Sequence, residues 1–299
     1  MKRALRTAKQ ADIEQRLGRF ADVLFPQEAE EPILAPAVRA AVFDWLAEIR
    51  AADALDAVGL TPRRSMLLYG PPGCGKTTLA HHFAARLGLP LACVRSESLV
   101  EASLGGTGNN ISKLFDAMKA TEGGAVVFFD EVDSIGSKRM NDQGASVEMA
   151  SALNVMLRRI EMFGGIAMAA TNRQDVLDPA LWRRFNMQLS VDLPGEEERF
   201  AILRRYAAPF EPSDDDLDLL TAVTRGASPA LLRALMEGVK RVLVMAERLK
   251  RPAADPVAVF APVVAAVAPP PEVADLPALW TRGGIEDLAG LSWPWPRKD

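Results

Sequence analysis

Gly70-Pro71-Pro72-Gly73-Cys74-Gly75-Lys76-Thr77, followed by Thr78, is the stretch from which the fold is read. It satisfies the pattern G-x-x-x-x-G-K-[ST] and stands between a strand-like run, Ser65-Met66-Leu67-Leu68-Tyr69, and a helix-like run beginning at Thr77. A chain of phosphates is held by a concave row of backbone N–H groups, which needs glycine at the tight points, backed by the positive end of a helix dipole. Lys76 then reaches the β- and γ-phosphates, and the Thr77 hydroxyl ligates Mg²⁺. The stretch predicts a site for a nucleoside triphosphate with Mg²⁺.

Outward from the loop, apolar strands alternate with helices: strands at Ser65 to Tyr69, Leu91 to Arg95, Ala125 to Phe129, Ile166 to Ala170 and Met187 to Val191. Helices are expected from Thr77 to about Leu87, Ile111 to Ala120 and Val147 to Met162. Uninterrupted apolar strands alternating with helices predict an α/β fold, a doubly wound parallel sheet with ligands at the carboxyl ends of its strands. Beyond Pro194-Gly195 only helical patterns remain, at Glu196 to Tyr206, Asp214 to Thr224 and Pro229 to Leu249, which predicts a small all-helical second domain. Apolar spacing from about Ala4 to Leu60 reads as helical, broken at Pro26, Pro32 and Pro36. The domain reading is an N-terminal helical segment over 1–58, an α/β domain over 59–194, the helical domain over 195–250 and a Pro/Ala-rich tail over 251–299. Trp293-Pro294-Trp295-Pro296 in that tail either docks on a neighbouring subunit or packs on the helical domain.

Val126-Val127-Phe128-Phe129-Asp130-Glu131 is an apolar strand ending in two carboxylates. Its tip is expected beside the phosphate loop, with Asp130 toward Mg²⁺ and Glu131 polarising the attacking water. Ile166 to Ala170 ends in Thr171-Asn172, and the Asn172 amide at such a tip can position that water. Leu177-Asp178-Pro179-Ala180-Leu181-Trp182-Arg183-Arg184-Phe185 carries paired arginines, and phosphoryl transfer gains from an arginine supplied by a neighbouring subunit.

GPPGCGKT, VVFFDE, AATNR, LDPALWRRF and GASPALL, in this order between Gly59 and about Arg241, resemble an AAA-type ATPase of the AAA+ superfamily. The likeness is to bacterial single-ring AAA proteins similar to the ATPase part of AAA proteases; the chain has no H-E-x-x-H of a metalloprotease. The resemblance implies that Lys76 and Thr77 serve phosphate and Mg²⁺, Asp130 serves Mg²⁺, Glu131 activates water and Asn172 senses the γ-phosphate. It further implies that Arg183 and Arg184 reach the neighbour's nucleotide, and that Gly226 and Ala227 form the lid turn near base and ribose. ATP would sit between α/β domain and lid, and its hydrolysis in an ATP-dependent homo-oligomeric ring, a hexamer, would change the angle between them and remodel a protein client. Two departures stand out. Ser103-Leu104-Gly105 occupies the place of an aromatic pore residue, which removes the apolar grip used in threading. Ala230 stands near where many AAA+ relatives carry an arginine, an absence usual in the AAA branch. The Gly136 to Asn141 loop is a second candidate for lining a pore.

Three other readings share parts of this pattern. A GTPase is suggested by Asp133-Ser134-Ile135-Gly136 as D-x-x-G and by Asn172-Arg173-Gln174-Asp175, but the guanine motif needs lysine where Arg173 stands. A DNA-linked clamp loader or initiator would use the same loop and acidic strand. A nucleotide-gated switch would use ATP to set conformation only. Composition weighs against nucleic acid: 35 basic and 39 acidic residues leave a net charge of −4, with no basic field. With 299 residues, 49% of them hydrophobic, the chain can build one large core or two modest ones. Its two cysteines, Cys74 and Cys93, are expected as packing groups in a reducing compartment. The basic start, Met1-Lys2-Arg3, leads into no apolar run, and Val257 to Ala268 falls short of the roughly 20 residues a span needs, so a soluble cytoplasmic protein is expected.

Overall fold

Residues 8–100, 106–121, 123–133, 143–173, 177, 179–250, 255–269 and 275–298 are described by the computed structural model. Ser103 to Gly105, the Gly136 to Asn141 loop, Asp175 and Asp178 lie outside them. Contacts divide the chain into two compact units. The first comprises Met1–Pro32, Pro36–Gly70 and Lys76–Val191, and the second Ile33–Ala35, Pro71–Gly75 and Asp192–Asp299.

The first unit is a six-stranded sheet of β1 (Ala21–Leu24), β2 (Ser65–Tyr69), β3 (Leu91–Val94), β4 (Val126–Phe129), β5 (Ala167–Thr171) and β6 (Met187–Ser190), in the order β1-β3-β4-β5-β2-β6. All neighbours are parallel except β1 and β3. Its helices are α1 (Ala8–Leu17), α2 (Pro36–Arg50), α3 (Lys76–Arg86), α4 (Gly106–Lys119), α5 (Gln143–Glu161) and α6 (Pro179–Arg184), with short turns of helix at Ala52–Asp56 and Ser96–Leu99. Strand residues alternate between two faces, and in β2 to β5 both are largely buried. Leu67, Val127, Phe129, Ala167 and Ala169 join a core with α1, α4 and α5, while Met66, Leu68, Phe128 and Met168 are equally enclosed. Two covered faces explain why these strands read as unbroken apolar runs.

Behind the phosphate loop, Trp45 of α2 stacks on Phe83 of α3 at 4.1 Å, and its indole N–H donates to Arg63 O at 2.8 Å. Trp45 is wholly buried, so truncating it to alanine removes about 3–5 kcal/mol. The amino-terminal segment corrects one expectation. Ala21–Leu24, read as helical, is a strand paired antiparallel to β3, with Ala21 opposite Val94 and Leu24 opposite Leu91. A short segment gains little as isolated helix, whereas the edge of β3 offers a row of unpaired N–H and C=O groups. The Phe25 carbonyl that follows lies 2.9 Å from His81 Nε2 of α3.

The second unit is built from α7 (Glu196–Ala207), α8 (Asp214–Val223), α9 (Pro229–Arg248) and α10 (Pro256–Ala266). Leu203, Leu220, Leu232, Leu235, Met236 and Val239 form its core with Phe260 and Trp295. Val259, Phe260, Val263, Leu279, Leu288, Leu291 and Trp295, within the stretch read as a tail, are therefore part of this core. α10 begins at an Asp255 cap that accepts from Val257 N at 3.0 Å. Trp280 Nε1 donates to Val267 O at 2.5 Å, and Trp295 meets Phe260 edge-on at 5.9 Å. Asp216 of α8 joins three segments: Oδ1 accepts from Ser292 N at 2.7 Å, and Oδ2 from Ser213 N at 3.3 Å and Trp295 Nε1 at 3.1 Å. Arg199 of α7 donates to Pro194 O at 2.9 Å and Thr221 O at 3.2 Å, tying the start of the unit to α8.

Candidate nucleotide site

β2 delivers the chain to Gly70, and α3 receives it at Lys76. Gly70 has φ 138°, and a Cβ there would stand 2.3 Å from Val191 O, so glycine is obligatory. Gly73, at φ 74°, would bring a Cβ within 2.9 Å of Ser228 Oγ and 3.1 Å of Ala230 Cβ. Pro71–Gly75 belongs to the second unit, where Gly73 O accepts from Ala230 N at 3.1 Å. The turn holding Gly226 (φ 87°) and the buried Ala227 leads into Ser228, the cap of α9. Ile33–Ala35 joins the same unit, an association sequence spacing did not suggest.

Lys76 is buried, and its Nζ donates to Gly70 O at 2.8 Å, which holds the ammonium across the loop. Thr77 Oγ1 donates to Asp130 Oδ2 at 2.6 Å. This bond crosses a strand, because β5 pairs with both β2 and β4 and lies between them. A hydroxyl and a carboxylate oxygen in contact suit Mg²⁺, which takes few protein oxygens and leaves its other positions to phosphate and water.

Asp130 Oδ1 also accepts from Glu131 N at 3.1 Å. Glu131 is exposed and has φ 51°, the left-handed region, which costs a non-glycine residue about 1 kcal/mol or more and clusters at functional sites. Asn172 is exposed just beyond β5. Thr171, the residue before it, is buried and donates to Asp133 Oδ1 at 2.7 Å while accepting from Arg173 N at 3.0 Å. Asp133 entered the sequence reading only through D-x-x-G. Cys93, opposite Phe128 in the sheet, has its thiol pushed up to about 12, chiefly by burial and then by Asp130 and Asp22.

Arg183 and Arg184 end α6 and are exposed. Arg184 is paired with Glu161 at the end of α5, while Trp182 packs against Tyr69 at 4.9 Å. The loop, Thr77 and Asp130 are thus brought together, whereas the two arginines bond to none of them.

Residues 66–193 match the family described as ATPase family associated with various cellular activities. The chain carries an AAA domain. The proteasome-activating nucleotidase of Pyrococcus abyssi is 36% identical over 190 residues, covering 61% of this chain and 48% of that protein. The ATP-dependent zinc metalloprotease FtsH 4 of Sphaerobacter thermophilus is 36% identical over 249 residues, 81% of this chain and 36% of that protein. The matched part thus spans about half or less of these relatives' length. The crystal structure of the FIGL-1 AAA domain shares the fold, with TM-score 0.67 at 20% identity, covering 87% of this chain and 90% of that one. Around the AAA domain, no helix among the described residues is long and apolar enough to cross a membrane.

Proposed function

We propose that this chain hydrolyses ATP to ADP and phosphate, and that it works as a homo-oligomeric ring that remodels a protein client. The contact of Thr77 with Asp130 carries the reading, because it joins the phosphate loop to the acidic strand. Relatives named for activating a proteasome and for ATP-dependent proteolysis support a protein client.

In this reading the N–H groups of Gly70 to Gly75 and the Lys76 ammonium hold the phosphates, while Thr77 and Asp130 would hold Mg²⁺. Mg²⁺ when bound neutralises charge building on the β- and γ-phosphate oxygens. Glu131 accepts the proton of the attacking water, and Asn172 orients that water. Arg183 and Arg184 stabilise charge in a neighbour's site.

Glu131→Gln should keep ATP bound and lower turnover by about 10²-fold or more, read by phosphate release beside binding of a fluorescent ATP analogue. Undiminished turnover removes Glu131 from its role. Mixing Arg184→Ala with Glu131→Gln subunits should restore part of the activity, and no rescue at any ratio speaks against action across an interface.

A further inference from the structure

Glu131 and Asn172, the two residues assigned to the water, follow different strands, β4 and β5, and neither side chain is bonded among the described residues. What fixes them is their neighbours. Asp130 is anchored to Thr77, and Asp133, two residues beyond Glu131, is anchored to Thr171. Glu131 thus spans a short arc between two bonded carboxylates, with its φ of 51° inside that arc. On the other strand, Arg173 N bonds back to Thr171 Oγ1, which closes a tight turn around Asn172. One buried hydroxyl, 1% exposed, therefore bonds the segment of each residue. β4 and β5 are parallel neighbours with Phe129 opposite Ala169, so both segments leave the sheet at the same end.

We propose that the Thr171 hydroxyl and the Asp133 carboxylate form a brace that sets Glu131 and Asn172 relative to each other for the hydrolytic step. Both are positioning residues: they act through Glu131 and Asn172. The brace rests on the ATP-hydrolysing reading above. A misplaced base loses rate while the phosphate loop, held by other bonds, keeps its affinity. A hydroxyl that served only to satisfy its own burial would show no such split.

The test uses the full chain. Thr171→Val keeps the shape and removes both bonds, Thr171→Ser keeps the hydroxyl, Asp133→Ala removes the acceptor and Asp133→Asn keeps an acceptor oxygen. Steady-state kcat and KM for ATP with Mg²⁺ are read beside the affinity for mant-ATP. Thr171→Val and Asp133→Ala should each lower kcat by about tenfold to a hundredfold, with mant-ATP affinity within about threefold of the unaltered chain. Thr171→Ser and Asp133→Asn should recover most of the rate. The double variant Thr171→Val with Asp133→Ala should be no slower than the slower single one, because both remove the same bond.

The brace is overturned if Thr171→Val stays within about twofold of the unaltered kcat, or if mant-ATP affinity falls in step with kcat. It is equally overturned if the double loss is the product of the singles. Should Thr171→Val not fold, Asp133→Ala against Asp133→Asn decides on the same readings. An unaltered chain that turns over no ATP removes the hydrolase reading itself, and the brace with it; an active one with an equally active Thr171→Val removes the brace alone.

Discussion

Asp130 and Asp216 are both aspartates enclosed by hydrogen bonds, one in each compact unit, and their surroundings assign them opposite work. Asp130 is half-buried at a strand tip, bonded by one hydroxyl and by the N–H of the next residue. A ligand can replace that hydroxyl proton without exposing a core. Asp216 is 3% exposed, and its acceptors are taken by Ser213 N, Ser292 N and Trp295 Nε1. It has nothing to offer a ligand; it holds α8, its cap and the segment from Ser292 to Trp295 in one place. Whether a carboxylate's partners are expendable distinguishes a site from a support.

Asp130→Asn tests the first half of this contrast with the largest effect. Turnover of ATP should fall by about 10²-fold or more, while the melting temperature stays within about 2 °C. A large drop in stability would instead place Asp130 in the same class as Asp216. Asp216→Ala reverses the pattern. It leaves buried donors unsatisfied and breaks the capping box with Ser213, a loss of about 3 kcal/mol. Circular dichroism and Trp295 emission should report early melting of the second unit; unchanged melting would mean that water replaces the carboxylate.

The smallest expected effect concerns Cys93. Its ordinary value of 9.0 is raised to about 12 by burial. Between those values the folded chain keeps a proton that the unfolded chain releases, so this group's contribution to stability is complete below about 9 and lost as pH rises toward 12. The urea midpoint should therefore fall from pH 8 to pH 10 less steeply in Cys93→Ala than in the unaltered chain. Equal slopes would show that the thiol titrates freely.

The same contrast explains what the sequence disclosed. Strands β2 to β5 are legible to within about a residue because burial on both faces writes a nearly uninterrupted apolar run. Three helices of the second unit, α7 to α9, are legible from three- and four-residue spacing, with Asp and Pro starts at α8 and α9, whereas α10 lies where the sequence reads as a Pro/Ala-rich tail. β1 did not, because Ala-Asp-Val-Leu is short enough to pass for part of a helical pattern, and its strand character comes from β3 alone. Strand order was equally hidden: nothing local records that β5 separates β4 from β2. At the site, the phosphate loop and Asp130-Glu131 are local signatures. The bond from Thr171 to Asp133, 38 residues apart, and the burial of Trp295 beside Asp216, 79 apart, are decided by tertiary contact and leave no short-range trace.

Trp182 carries a practical consequence. Its indole touches Tyr69, the residue just before the glycine-rich turn, and is followed directly by Arg183 and Arg184. Nature has thus installed a chromophore at the junction of these two parts, and substituting phenylalanine at the other four tryptophans would leave a single-colour optical gauge of what happens there when nucleotide arrives.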